Sequence, residues 1–291
     1  MSLALERWTQ MPGRVLRHEE RGAGHRWLEL HLSADFPSPE PGQFVQILLE
    51  NPSPVLLPRP MSVASVSRRA RALALGFLYA PVGAGTRALA ELRAGAALEV
   101  LGPLGHGYPL ERPGTPVLVA GGRGVAPLLF AADWLAHSGR RCEFLFGARS
   151  AEHLVALEEA ESRLASAGGT LHLCTDDGSR GFRGNVLELL DRLAPKLGGK
   201  LVLHACGPHG MLKAVAAWGM RRKVATHLAM ESVMACGTGV CRGCPLPRSA
   251  SSRAGFDPDL TPSLYGNREY AMCCTEGPVF EAHDLDWSLI E

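Results

Sequence analysis

The sequence of 291 residues has almost no net charge, with 30 Lys and Arg against 29 Asp and Glu for a formal +1. Such a balance leaves no electrostatic footprint for nucleic acid or an anionic membrane surface, so any partner must be recognised locally. A long unbroken apolar run is also missing. The longest candidate, VLVAGGRGVAPLLFAADWLA, is interrupted by Arg123 and Asp133 and is rich in glycine, which makes it a poor membrane span. The opening MSLALERWTQMPG has Glu6 and Arg7 where a secretory signal needs an apolar core, and it shows no cleavage pattern, so a cytoplasmic location is expected. There is no internal repeat. With 46% hydrophobic residues the composition carries no mark of disorder, and the length suffices for two or three domains.

What is present changes character along the chain. From Trp8 to Leu110, short apolar segments (WLELHL, QFVQILL, ALALGFLYA, ALEVLG) alternate with Pro and Gly clusters, which predicts a small antiparallel β-barrel. After Pro116, VLVAGG, CEFLFGA, TLHLCTDDG and KLVLHACGP read as strands, each followed by a helix-like stretch. That alternation predicts an α/β domain with a parallel sheet and ligands at the carboxyl ends of its strands. From about Arg222 the periodicity fades and cysteines crowd together. The expected division is a barrel over residues 8–112, an α/β domain over 113–222 and a small C-terminal domain over 223–291.

Of the eight cysteines, Cys142, Cys174 and Cys206 lie singly beside apolar runs and read as small buried hydrophobes. The other five fall in the last fifth of the chain, where crowding in a reducing compartment points to metal or catalysis rather than disulfides. MACGTGVCRGCPL spaces Cys236, Cys241 and Cys244 as Cys-x4-Cys-x2-Cys, with Cys273 and Cys274 following. Plant-type two-iron clusters use this spacing and a distant fourth cysteine. Gly237, Gly239 and Gly243 ease the wrapping of backbone round a compact core, and N–H groups in such a loop can point at the sulfurs. Zinc is the rival, although its structural sites usually pair short-spaced ligands. Of the adjacent Cys273 and Cys274, one is expected to turn inward.

Three further stretches suggest nucleotides. In LLPRPMSVAS, Arg59 at a strand edge can fork onto a diphosphate and Ser62 can reach the polar edge of a flavin; an ordinary surface arginine is the alternative. In LYAPVGAGTRALAEL, Gly83, Gly85 and Thr86 precede a helical run whose free amides suit an anion, or else form a plain turn capped by Thr86. In AGGRGVAPLLF, Gly121, Gly122 and Gly124 join a strand to a helix, a context that admits a dinucleotide diphosphate. The loop departs from G-x-G-x-x-G, and glycine needed only for helix against strand packing is the alternative. The strand ends TDDGSRGFRG and ACGPHGM lie where the same ligand would extend. Asp176 and Asp177 there suit ribose hydroxyls or a solvated turn, with Asp177 taken as the cofactor-binding candidate, joined by Cys206 and Gly207 at the second end. Arg149 suits a 2'-phosphate, so NAD and NADP both stay open on the residues alone.

In order along the chain, RPMS, GAGT, LGPLGHGY, GGRGVAPL, TDDGSRGFRG, ACGP, the cysteine loop and CTEGPVF resemble the ferredoxin-reductase-like flavoproteins that end in an iron–sulfur domain. Within them the chain is most similar to the electron-transfer subunits of NAD-dependent (class 1B) dihydroorotate dehydrogenases. The resemblance spans nearly the whole chain. It implies an FAD-binding barrel, an NAD-binding α/β domain and a [2Fe-2S] domain, with FAD held by Arg59, Pro60, Met61, Ser62, Leu78, Tyr79, Ala80, Gly85 and Thr86. The implied cluster ligands are Cys236, Cys241, Cys244 and Cys274, the last because CTEGPVF matches the family's ending from Cys274 and not from Cys273. Also implied is a catalytic FMN subunit that oxidises dihydroorotate, in a heterotetramer with two copies of each chain. This chain then needs no acid–base catalyst, and its eleven histidines read as structural or surface residues, with only His106 and His209 near a site. Two departures stand out, a long segment over 245–272 and Arg123 at a position that relatives often fill with a small or apolar residue. A reductase subunit of a hydrogenase or sulfite-reducing complex is the nearest alternative, and a zinc-stabilised NAD sensor is one from another class.

Overall fold

The computed structural model describes residues 8–49, 55–69, 72–256 and 268–290; Glu6, Arg7 and the middle of the long C-terminal segment, 257–267, lie outside them. The first half forms seven strands: β1 (Thr9–Glu20), β2 (Arg26–Ser33), β3 (Phe44–Leu49), β4 (Arg59–Ser62), β5 (Ser65–Arg69), β6 (Ala72–Tyr79) and β7 (Ala97–Leu104). They pair antiparallel in the order β4-β3-β7-β1-β2-β6-β5. The two edge strands β4 and β5 are separated in the chain only by Val63 and Ala64, so the sheet must curl to bring its edges together. The link is tied on both sides, with Val63 N–H donating to Gln43 O at 3.2 Å and Ala64 N–H to Gly76 O at 2.8 Å. Alternation decides which face is filled: Leu28 and Leu30, Val45 and Ile47, and Leu75 and Phe77 point into a common apolar interior. Between β6 and β7 lies the short helix α1 (Ala84–Ala90).

The second half is a parallel sheet covered by helices. Its elements are β8 (Thr115–Gly121), α2 (Val125–His137), β9 (Glu143–Ala148), α3 (Leu157–Ala167), β10 (Thr170–Thr175) and β11 (Phe182–Arg183). There follow α4 (Val186–Leu197), β12 (Leu201–Cys206), α5 (His209–Arg222) and β13 (Ala225–Ala229). Strands covered on both faces need near-continuous apolar sequence, and every residue of β12, LVLHAC, is buried. Asn185 caps α4 by accepting from the N–H groups of Leu187 and Glu188, each at 3.0 Å, and Glu188 returns the bond to Asn185 N–H at 2.9 Å. With the C-terminal strand β16 (Val279–Glu281) added at one edge, the sheet order β11-β10-β9-β8-β12-β13-β16 reverses direction between β8 and β12, and a crevice opens at such a point.

The C-terminal residues return to this sheet. After β13 the chain leaves on an excursion that holds β14 (Pro245–Pro247), α6 (Ala250–Ala254) and β15 (Tyr270–Met272), then re-enters as β16 (Val279–Glu281), antiparallel to β13. Its base is closed by Met230 N–H on Pro278 O at 2.8 Å. All five C-terminal cysteines ride on this excursion. Phe44 and Leu104 of the curled sheet share one apolar core with Met230, Met234, Cys244, Cys273 and Cys274, so the excursion is packed against both sheets.

Where β12 meets β13, His204 and His227 lie opposite each other, buried, with stacked rings 5.3 Å apart. Burial holds His204 down at about 3 and His227 at about 4. Both rings are therefore neutral in the folded protein, while in the unfolded chain they take a proton near 6.5. Stability is full above that value and is lost as pH falls from about 6.5 towards 4, at up to ~1.4 kcal/mol per pH unit for His204. Denaturant unfolding between pH 7.5 and 4.5 tests this. His204→Leu is expected to flatten the acid limb, and an unchanged slope would rule the cause out.

Candidate functional site

Two clefts meet where the curled sheet faces the carboxyl ends of the parallel strands. The first has an empty volume of about 970 Å³ and is walled by Pro60, Met61 and Ser62 of β4, by Leu78, Tyr79 and Ala80 at the end of β6, and by Thr86 of α1. From the other side Phe44, Cys206, Met230 and Met234 complete an apolar wall. Burial pushes the Tyr79 phenol and the Cys206 thiol up, so both stay neutral in the cleft. His18 makes a 2.8 Å contact with the Tyr79 hydroxyl and fixes that ring.

Arg59 and Gly85 stand behind this wall, not on it. The Arg59 side chain folds back, with Nε donating to Pro58 O at 2.9 Å and Nη2 to Leu57 O at 3.0 Å. Its guanidinium occupies the space that a side chain at position 85 would need: a Cβ on Gly85 would sit 2.8 Å from Arg59 Nη1. The missing side chain thus presses a cation against the start of α1. Thr86 Oγ1 accepts from Gly83 N–H at 2.9 Å and orders the same turn.

The second cleft, about 1260 Å³, opens at the strand ends and takes Gly121, Gly122 and Gly124 after β8, Ala148 and Arg149 after β9, Asp176 after β10 and Gly207 after β12. Asn185 and Val186 close it from α4, and His25 reaches it from the curled sheet. A 3₁₀ turn, Gly122–Gly124, runs directly into α2 with no side-chain cap, so the helical start that suits an anion falls at the glycines lining the cleft. Of the two aspartates in TDDG, Asp176 lines the cleft. The Asp177 carboxylate turns away to Ser179, accepting from its N–H at 3.0 Å and its hydroxyl at 2.6 Å, and these bonds hold it below the usual carboxylate range. The two clefts are continuous, because Arg123, Gly124 and Glu231 line both. Arg123 Nη2 reaches Glu231 Oε2 at 3.4 Å across the junction, and His209 Nε2 contacts Glu231 O at 3.0 Å.

The cysteine loop lies beyond Phe44 and Met234. Cys236 Sγ accepts from the N–H groups of Thr238 at 3.4 Å and Cys241 at 3.5 Å, and Cys241 Sγ accepts from Gly243 N–H at 3.4 Å. Burial opposes the Cys236 thiolate, but these amides outweigh it and bring the group down to about 7. Cys244 and Cys274 meet with their sulfurs 3.3 Å apart, and Cys274 N–H also points at Cys244 Sγ at 3.4 Å. The hydrogen bond the two sulfurs share draws Cys244 down to about 6 and holds Cys274 up. Cys273 faces the other way, towards Met230 O at 3.7 Å, and burial pushes its thiol up. None of the eight cysteines is in a disulfide. Among the described residues no three His, Cys, Asp or Glu side chains converge on a single ion position. The sulfurs form one close pair, Cys244 with Cys274, and a second set, Cys236 with Cys241, linked through shared amides. Soft thiolate donors ringed by N–H groups suit a two-iron cluster, whose ligands are spread over two metals rather than gathered round one.

Sequence reasoning passed over Phe44, Met230, Glu231 and Met234. The only available signal was AMESVM following the strand-like ATHLA, where the position of Glu231 at a strand end parallels that of Asp176. Arg59→Ala tests the expectation, drawn from the sequence, that this cation pairs with an FAD diphosphate: loss of one charge-assisted bond, roughly 2 kcal/mol, would weaken FAD retention about thirtyfold. Flavin content after gel filtration measures it, and full occupancy would count against the assignment.

Residues 118–217 match the oxidoreductase NAD-binding domain family. The chain is 34% identical over 248 residues to a protein of Listeria monocytogenes serotype 4b (strain F2365) named dihydroorotate dehydrogenase B (NAD(+)), electron transfer subunit. That match covers 84% of this chain and 87% of the relative. A protein of the same name from Geobacillus thermodenitrificans (strain NG80-2) is 34% identical over 271 residues, covering 91% and 95%. Among solved structures, the NADH-dependent reduced ferredoxin-NADP oxidoreductase superposes with a TM-score of 0.77 at 24% identity, covering 96% of this chain and 91% of that one. The Amycolatopsis cytochrome P450 reductase GcoB gives 0.60 at 26% identity, covering 75% and 67%.

Proposed function

Because the chain belongs to the family of dihydroorotate dehydrogenase B (NAD(+)) electron transfer subunits, we propose that it delivers electrons from dihydroorotate, oxidised on a partner subunit, to NAD+ in pyrimidine biosynthesis. The observation that carries this reading is the continuity of the two clefts through Arg123, Gly124 and Glu231, with the cysteine loop against the far side of the first. FAD in the first cleft would exchange hydride with a nicotinamide and single electrons with a [2Fe-2S] cluster, chemistry that belongs to the cofactors.

The chain's own task is to hold, orient and keep dry. Pro60, Met61, Ser62, Leu78, Tyr79, Ala80 and Thr86 wall the flavin site, with Arg59, seated by Gly85, supplying a cation for its diphosphate. Phe44, Met230 and Met234 exclude water from its inner side. Gly121, Gly122 and Gly124 with the start of α2 receive the diphosphate of NAD, Asp176 is better aimed than Asp177 at its ribose, and Cys206 and Gly207 flank the junction. Cys236, Cys241, Cys244 and Cys274 hold the cluster. The division into an FAD part (8–112), an NAD part (113–222) and a [2Fe-2S] part (223–291) belongs to this proposal, with β13 and β16 lent to the parallel sheet by the last. So do the FMN-bearing catalytic partner, two of each chain in the complex, and a cytoplasmic setting. Among the described residues no helix is long and apolar enough to cross a membrane.

Dihydroorotate-dependent NAD+ reduction, assayed with the chain alone, with a candidate catalytic subunit alone and with both, tests the reading. Reduction is expected only with both. An active NADH-oxidising flavoprotein that no dihydroorotate-oxidising subunit can feed would move the partner to another redox complex.

A further inference from the structure

Strand β3 has two faces with different duties. Val45 and Ile47 fill the interior of the curled sheet, so by alternation Phe44 and Gln46 face outwards, towards the cysteine excursion. On β4, Phe44 stands opposite Ser62 and Gln46 opposite Pro60, two residues of the flavin wall. Gln46 is therefore one strand away from the first cleft on one side and in contact with the cysteine loop on the other.

That contact is close. Gln46 is 0% exposed, and its Nε2 donates to Met234 O at 3.4 Å, two residues before Cys236. A Cβ on Gly237, the residue after Cys236, would lie 2.8 Å from Gln46 Cγ and 2.9 Å from Nε2. Gly237 also has φ +77°, so backbone conformation and lack of space both call for glycine. The amide orientation follows from the Met234 carbonyl, because the flipped group would set two oxygens face to face. It leaves Gln46 Oε1 buried without a donor among the described residues. Such an orphan lowers stability, a cost that an apolar side chain of similar size would remove. A group that lowers stability, wedged between the flavin wall and a cluster ligand, is better explained by service to the site than to the fold.

Resting on the function proposed above, we propose that Gln46 is a positioning residue that seats the cysteine loop on the flavin wall and so sets the Cys236 side of the cluster. Its Nε2 anchors the backbone entering the loop, and its stem fills the space left by Gly237.

Gln46→Leu tests this, with the unbranched Gln46→Met as a second variant should leucine not fold. In cofactor-free protein the variant is expected to melt close to the wild-type temperature, because removal of the orphan offsets the lost bond to Met234 O. In protein reconstituted anaerobically with FAD, iron and sulfide, iron release to a chelator is expected to be about tenfold faster at equal flavin content, the scale of losses around metal ligands. The line shape of the reduced cluster should shift as well. A purely structural glutamine would instead lower the melting temperature and leave iron release and line shape unchanged, and that result overturns the inference. Wild-type protein that binds flavin but assembles no cluster would overturn both this inference and the function on which it rests; intact wild-type cofactors with an indifferent variant overturn this inference alone.

Discussion

Cys274→Ser is expected to purify with FAD but without its iron, whereas Cys273→Ser keeps both. The two cysteines are adjacent and buried alike, at 1% and 0% exposure, so accessibility does not distinguish them. Direction does. Cys274 Sγ stands 3.3 Å from Cys244 Sγ, and both groups draw on the same turn after β15. Cys273 points the other way, towards the Met230 carbonyl, and meets no other cysteine sulfur among the described residues. Changes around a metal site cost about 10–100-fold in affinity, and loss of a ligand exceeds that. Iron and sulfide analysis of the two variants decides the matter; equal contents would refute the assignment.

Gly124→Ala is expected to be the most damaging small change in the nucleotide cleft. A Cβ at this position would collide with Cys206 O and sit 2.6 Å from Gly207 N, backbone atoms at the end of β12 that cannot rotate away. Accommodating it means forcing β12 away from the turn after β8, at a cost of about 3 kcal/mol, the upper part of the usual range for overpacking. The same displacement spreads the floor of the cleft, so NAD affinity falls too. Gly122→Ala is the control, because nothing lies within 4 Å of its Cβ and only its φ of +51° is at stake, worth roughly 1 kcal/mol. Thermal unfolding should rank wild type, Gly122→Ala and Gly124→Ala in that order, with NAD titration following the same rank. A Gly124→Ala protein as stable as wild type would show the packing account to be wrong.

The strands and helices of the second half were legible because each carries its own signal. Strands buried on both faces spell apolar runs, and helices such as α4 announce their start with Asn185 and Glu188. Strand β1 was not legible: TQMPGRVLRHEE holds Pro12, Gly13 and five charged or His residues, four of them consecutive at its end, and its pairing with β2 and β7 on either side, not its composition, makes it a strand. Strand β16 is three residues long and exists because β13 offers it an edge, a contact from far along the chain. At the site, residue types that suit phosphate, flavin and iron showed through, but orientation did not. TDDG cannot say that Asp176 faces the cleft while Ser179 holds Asp177, nor can CC say which sulfur meets Cys244. Gln46 and Glu231 gave almost no signal, since each matters through a neighbour that only folding supplies.

Electron paramagnetic resonance of anaerobically reconstituted protein after addition of NADH alone tests the central claim most directly, because the proposed route takes electrons from NADH to the cysteine loop through the two joined clefts and a flavin between them. The expected result is bleaching of the flavin absorption together with the signal of a reduced two-iron cluster, with only the cluster signal lost in Cys244→Ser. Protein that holds flavin and iron, oxidises NADH and yet shows no reduced-cluster signal would contradict it.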